Sequence, residues 1–204
     1  VPQIKIMLAA YFGALGDNLD TALSLPVAGL HLDLARAPAQ LEAVLEKARP
    51  DLVLSLGVID GRNIWRANLP EILDRIDPVV TQRGKDRVQV APSCSLLHVP
   101  IDLDAETRLD PDLKSWLAFS LQKMSELAAL GAALSRGRDA VKAELASSAA
   151  AAGTRAASPK VHDSRVVDRV AAVTSGMMSR RSPFAARAKN QRDKFALPAF
   201  PTTT

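Results

Sequence analysis

The hydrophobic positions of this chain fall into two alternating patterns over its first two-thirds. Short apolar runs come at Ile4–Phe12, Val27–Leu34, Leu52–Ile59 and Val88–Ala91, the last running on through Ser93-Cys94-Ser95 to Leu97. Each is close to the length of a buried strand, and Gly13 and Asp60-Gly61 end two of them. Between them lie stretches with helical spacing. Leu19–Leu25 is a weak one; Pro38–Ala48 puts Leu41, Val44, Leu45 and Ala48 on one face behind a first-turn proline. Asn68 stands as the cap of a helix carrying Leu69, Ile72, Leu73 and Ile76. Asp110-Pro111 predicts the start of a long helix running to Leu134 and closed by Ser135-Arg136-Gly137. Four strands with helices between them predict parallel β/α units.

The pattern changes after Gly137. Ala146–Ala157 is rich in Ala and Ser without strong periodicity, which predicts a mobile linker or a poor helix. Ser164–Val173 and Ser182–Phe195 predict two more helices, and Pro198 and Pro201 predict an extended exit toward Thr204. The division expected from the sequence is therefore residues 1–137 and residues 138–204.

Charge follows that division. Residues 1–137 hold 14 Lys and Arg against 17 Asp and Glu, whereas residues 138–204 hold 12 against 5, so the net +4 resides in the tail. The tail's basic residues interleave with Ala and Val, and only 4% of the chain is aromatic, so there is no stacking platform for single strands. No nucleic-acid partner is expected. Nor is a membrane, because no apolar run approaches the roughly 18 residues needed to span one. Cys94 is the single cysteine, which excludes a disulfide framework within the chain. These features suit a cytoplasmic protein. Val1 opens directly into an apolar run, so the chain reads as a piece of something longer. A dinucleotide site is not expected, since Tyr11-Phe12-Gly13-Ala14-Leu15-Gly16 lacks the G-x-G-x-x-G spacing.

Six stretches are distinctive: Tyr11-Phe12-Gly13 with Asn18-Leu19-Asp20, Leu25–Leu34, Leu54–Arg66, Ala91–Pro100, Lys114–Phe119 and Leu197–Thr204. In this order they resemble the cobalamin-independent methionine synthases. The resemblance is weakest from Lys142 to Ser158. It implies an enzyme of two (β/α)8 barrels that moves a methyl group from 5-methyltetrahydrofolate polyglutamate to homocysteine. It further implies that residues 1–137 are the C-terminal half of the N-terminal TIM barrel: an α/β half-barrel of four βα units, strands five to eight. Residues 138–204 would be a helical interdomain segment leading toward the C-terminal catalytic barrel. The partners implied are that catalytic barrel, the N-terminal half-barrel and the two substrates.

The family's chemistry uses zinc, which deprotonates and holds the homocysteine sulfur. Its ligands lie in the C-terminal barrel. Matching the two barrels places the ligand positions at Leu8, Ala10, Asp33 and Cys94, so only two of the four could bind metal. No metal site and no catalytic residue is expected in this chain, and the chain alone is expected to be inactive. The family's homocysteine-contacting run would follow Thr204.

Candidate substrate-binding or domain-interface residues gather at strand ends, where barrel enzymes place their chemistry. His31 and Asp33 share one face of a strand, either as catalytic groups or as a hydrogen-bonded structural pair. Arg62, Asn63 and Arg66 follow the third strand, facing an anionic substrate or another barrel, or else pairing with a carboxylate such as Asp60. Ser93 and Cys94 end the fourth, with His98 four residues on. Cys94 is read chiefly as a buried thiol, and Trp65 and Trp116 as packing residues. The alternative to an enzyme segment is a stand-alone, barrel-derived scaffold or binding module that works through its basic tail.

Overall fold

The computed structural model describes residues 4–200 and 202. The expected exit through Pro201, Thr203 and Thr204 lies outside those residues, as does the start of the first apolar run at Val1–Gln3. The chain divides into two compact units, residues 1–157 and 158–204.

The first unit is built on a four-stranded sheet: β1 (Met7–Ala10), β2 (Gly29–Asp33), β3 (Val53–Ile59) and β4 (Val88–Pro92). Strand order follows chain order, and each neighbouring pair is parallel. Ala9, His31, Ser55 and Gln89 form one cross-strand row. The crossovers carry α1 (Leu19–Ser24), α2 (Gln40–Lys47) and α3 (Leu69–Arg83). After β4 come α4 (Pro111–Ser115), α5 (Ser120–Arg136) and α6 (Lys142–Ala157).

The two faces of the sheet differ because side chains alternate along each strand. Leu30, Leu32, Leu34, Leu54, Leu56 and Val58 pack into one core with Leu41 and Val44 of α2, Leu73 and Ile76 of α3, and Leu130 of α5. The opposite face carries Met7 and Val53 at one end of its strands and then small and polar residues: Ala9, Gly29, His31, Ser55, Gly57 and Gln89. Gly57 is required there. A Cβ at this position would meet the Leu32 carbonyl oxygen at 2.5 Å, His31 Cε1 at 2.9 Å and Ser93 Cα at 2.9 Å.

Three expectations change. The helix predicted from Asp110 to Leu134 is broken at Trp116–Phe119. These four consecutive residues are all buried, which a helix lying against a core with one stripe does not allow. Trp116 caps α4, and the chain leaves the helix after it, with Leu117 bridged antiparallel to Trp65 and Ala118 N donating to Ile64 O at 2.8 Å. Asn68 occupies the N-cap position of α3, but its side chain makes no capping bond; its amide donates to Glu71 Oε2 at 3.2 Å. The Ala-rich stretch is α6, a full helix. Its buried stripe of Leu145, Ser148 and Ala151 is spaced for one face, and small residues allow close approach to α3. Ser148 Oγ accepts from Leu69 N at 3.3 Å, and Trp116 Nε1 donates to Thr154 Oγ1 at 3.0 Å. The compact unit thus runs past Gly137, where the sequence division falls, as far as Ala157. Gly137 itself makes a turn at φ 94, after which Arg138 grips Asp74 and Asp77 of α3.

The second unit holds α7 (Ser164–Ala171) and α8 (Phe184–Phe195), both where the sequence places helices. Val166, Val167 and Val170 on α7 are more than half exposed.

Candidate functional site

Candidate residues from β2, from the loop after β3 and from the end of β4 lie at the C-terminal edge of the sheet, with the Arg66 side chain turned to α6. His31, inside β2, is 9% exposed. Its Nδ1 meets Ser55 Oγ at 2.9 Å and its Nε2 meets the Ser93 carbonyl oxygen at 3.2 Å. Because His31 and Ser55 are in register, one imidazole ties β2, β3 and the end of β4. His31 and Asp33 share a face as expected, but they do not form the pair that the sequence suggested; each has its own partners.

Asp33 is fully buried. Its Oδ2 accepts from Phe12 N at 2.9 Å, and its Oδ1 from Ala35 N at 3.1 Å and Arg36 N at 2.9 Å. The carboxylate thereby fixes two strand-end turns at once. One of them holds Phe12 at φ 70, a conformation uncommon for a residue with a bulky side chain. That turn presents the Phe12 ring to its neighbours. The Arg62 guanidinium lies 4.8 Å from the ring centroid, within cation–π range. His98 meets the same ring edge-on at 5.6 Å and Tyr11 at 4.8 Å.

Asp60 organises the loop after β3. It accepts from Arg62 N at 2.7 Å and Asn63 Nδ2 at 2.8 Å, and Asn63 Oδ1 accepts from Trp65 N at 3.0 Å. Of the two alternatives for these arginines, the ion pair with Asp60 is not formed; Asp60 makes a main-chain and an amide contact instead. Arg62 stacks on Phe12, while Arg66 donates to Ser147 Oγ on α6 at 2.9 Å. Trp65 is 38% exposed under Arg155, whose guanidinium stands 4.7 Å from the ring.

Ser93 Oγ accepts from Gly61 N at 3.1 Å. Cys94 sits beside Gly61, where an added Cβ would come within 3.0 Å of Sγ. Burial pushes the thiol above its ordinary range, with Asp33 and Asp60 adding to the effect. Its Sγ donates to Ser95 O at 3.6 Å, and His98 is engaged with Phe12. This is the environment of an inert thiol, not of a thiolate nucleophile or ligand.

Zinc does not fit these donors. Leu8 and Ala10 have none, both Asp33 oxygens are committed to main-chain N–H groups, and the Cys94 proton is held. Among the described residues no group of three or more His, Cys, Asp or Glu side chains is placed to hold a metal ion.

The sequence reading passed over Lys123 and Glu126 of α5, which are 1% and 6% exposed. Lys123 Nζ donates to Trp65 O at 3.1 Å, and Glu126 Oε1 accepts from Ala67 N at 2.9 Å. Together they pin the loop that carries Asn63, Trp65 and Arg66. Burial lowers the Lys123 pKa and raises that of Glu126. Their signal was available: both lie on the helix face that also carries Leu130 and Ala133.

Comparison with known proteins shows what the chain is similar to. Residues 1–84 match the N-terminal domain of the cobalamin-independent synthases. The 5-methyltetrahydropteroyltriglutamate–homocysteine methyltransferase of Nitrobacter winogradskyi is 69% identical over all 204 residues. The chain is thus similar along its whole length to that enzyme. Relatives of the same name from Rhodopseudomonas palustris and Caulobacter vibrioides are 66% and 59% identical, over 204 and 203 residues. In each case the chain covers 26% of the relative, so it spans about a quarter of the synthases it matches. One solved structure, described as a putative vitamin-B12-independent methionine synthase from Listeria monocytogenes, is 21% identical with a TM-score of 0.37. The match covers 48% of this chain and 30% of that one, and no argument rests on it.

Proposed function

We propose that this chain is a structural and interface segment of a methyltransferase that converts homocysteine to methionine with 5-methyltetrahydrofolate polyglutamate as the methyl donor. The observation that carries this reading is the 69% identity extending over every residue of the chain to an enzyme named for that reaction. In this reading residues 1–137 are strands five to eight of the N-terminal TIM barrel with their helices, and residues 138–204 lead toward the catalytic barrel. Four parallel βα units in consecutive order are consistent with half of an eight-unit barrel. Such an enzyme works in the cytoplasm.

The chemistry then belongs to the rest of the enzyme, which holds the zinc and needs no cobalamin. What this chain contributes is shape. Asp33, His31 and Ser93 lock the strand ends, Asp60 and the Lys123–Glu126 pair lock the loop after β3, and the rim they form presents Phe12, Arg62, Asn63 and Arg66. Arg62 offers a cation on an aromatic platform, suited to an acidic partner surface or an anionic substrate tail. The isolated chain, incubated with 5-methyltetrahydrofolate triglutamate, homocysteine and zinc, should give no methionine. Turnover by the purified chain would overturn the assignment of catalysis to other segments.

A further inference from the structure

Glu126 has one carboxylate oxygen in use and one without a partner. Its Oε1 is taken by Ala67 N, but among the described residues no donor reaches its Oε2, although the residue is only 6% exposed. A buried acceptor left unpaired is costly, and in a native protein it points to a partner from outside the chain. Glu126 lines a cavity of about 350 Å³ bounded by α4, α5, the start of α6 and the loop that enters α3. That volume suits a small organic molecule. The walls beside Glu126 are apolar: Leu69, Leu103, Leu117, Ala118 and Ala129. Gln122, Glu126 and Ala129 reach the cavity together because their spacing puts them on one face of α5.

Charge narrows the class of ligand. Lys123 and Arg66 flank the Glu126 carboxylate and favour its ionised form. Both are engaged elsewhere, with Trp65 O and Ser147 Oγ. Lys114 and Glu144, which also line the cavity, carry opposite charges and add no net preference. A cationic ligand would meet Lys123 and Arg66, and an anionic one would meet the carboxylate. Water can satisfy Oε2 but gains nothing from the leucine walls. A neutral molecule with an apolar body and one donor group matches both features. We propose that this cavity binds a small neutral molecule of that kind, an alcohol, whose O–H donates to Glu126 Oε2. The site is independent of the methyltransferase reading.

The test is a methyl-detected NMR titration of the full chain at a pH where Glu126 is ionised. The probes are benzyl alcohol, its isomer anisole, benzylammonium and benzoate. The two isomers contain the same atoms, but only the alcohol has a donor. Benzyl alcohol should bind saturably and shift the methyl resonances of Leu69, Leu103, Leu117 and Ala129. It should bind about tenfold tighter than anisole or either ion, the difference that one hydrogen bond makes. Glu126→Gln keeps an oxygen for Ala67 N and turns an amide donor to the cavity, so the order of the isomers should reverse. Equal binding of the isomers to the wild type would overturn the proposal, as would a preference for either ion. So would shifts confined to other methyl groups, or no saturable binding at all, which leaves Oε2 to water. If the Gln variant does not fold, the isomer comparison on the wild type decides.

Discussion

Asp33 shows how one buried side chain determines what its neighbours present. Three main-chain N–H groups converge on its carboxylate, and a hydrogen bond to a charged group is worth about 1.5–3 kcal/mol. Asp33→Asn keeps the shape but offers one acceptor oxygen in place of two. We expect it to cost about 2 kcal/mol in urea unfolding and to release the Phe12 turn, seen as loss of the Phe12–Arg62 contact by NMR. Glu126 makes a different prediction. Its pKa is raised by burial, so the folded chain holds that proton more tightly than the unfolded chain does. Stability from this group is therefore full below the ordinary glutamate range and is lost as pH rises through the raised value. Glu126→Gln retains an acceptor for Ala67 N and should remove that decline. Urea midpoints measured across a pH series should fall in the wild type and stay flatter in the variant; parallel profiles would contradict the buried-carboxylate account. The roles of Asp33 and His31 were only half legible in the sequence. Alternation put them on one strand face, but their partners come from Phe12, Ser55 and Ser93, and only the parallel register brings those close.

Among the elements, the strands and the short helices were the legible part. Apolar runs bounded by turn residues mark all four strands to within a few residues, because the helix-covered face of β2, β3 and β4 is a row of Leu and Val. The sequence misled where tertiary packing overrides local pattern. Trp116-Leu117-Ala118-Phe119 fits a helix by composition, yet burying four adjacent side chains takes a break after Trp116, where Leu117 and Ala118 pair with Trp65 and Ile64. The Ala-rich stretch of α6 failed in the opposite way. It has little periodicity of apolar size, since its buried face is made of Leu145, Ser148 and Ala151, and small residues carry a weak signal. A helix packed on α3 should resist hydrogen exchange. The amides of residues 145–154 should exchange on the timescale of those in α5, followed by mass spectrometry; exchange within seconds, as in a linker, would contradict the packing of α6.

At the scale of the whole molecule, the first unit is a four-stranded parallel sheet whose polar residues at the strand ends are tied to the main chain and to one another. Its one cysteine is a buried thiol, the Asp33 carboxylate is used up by the backbone, and the buried His31 bridges strands. The distinctive residues Asp33, Asp60 and Ser93 hold the main chain at the strand ends, and only the parallel register shows those roles. The central claim is that this rim works as a quarter of a larger methyltransferase. It is tested most directly by exchanging these 204 residues for the aligned segment of the Nitrobacter winogradskyi relative, 69% identical, and assaying methionine formation from homocysteine and 5-methyltetrahydrofolate triglutamate. The account predicts that the folded chimera retains turnover of the same order as the parent. A chimera that folds and binds zinc like the parent but forms no methionine would contradict it.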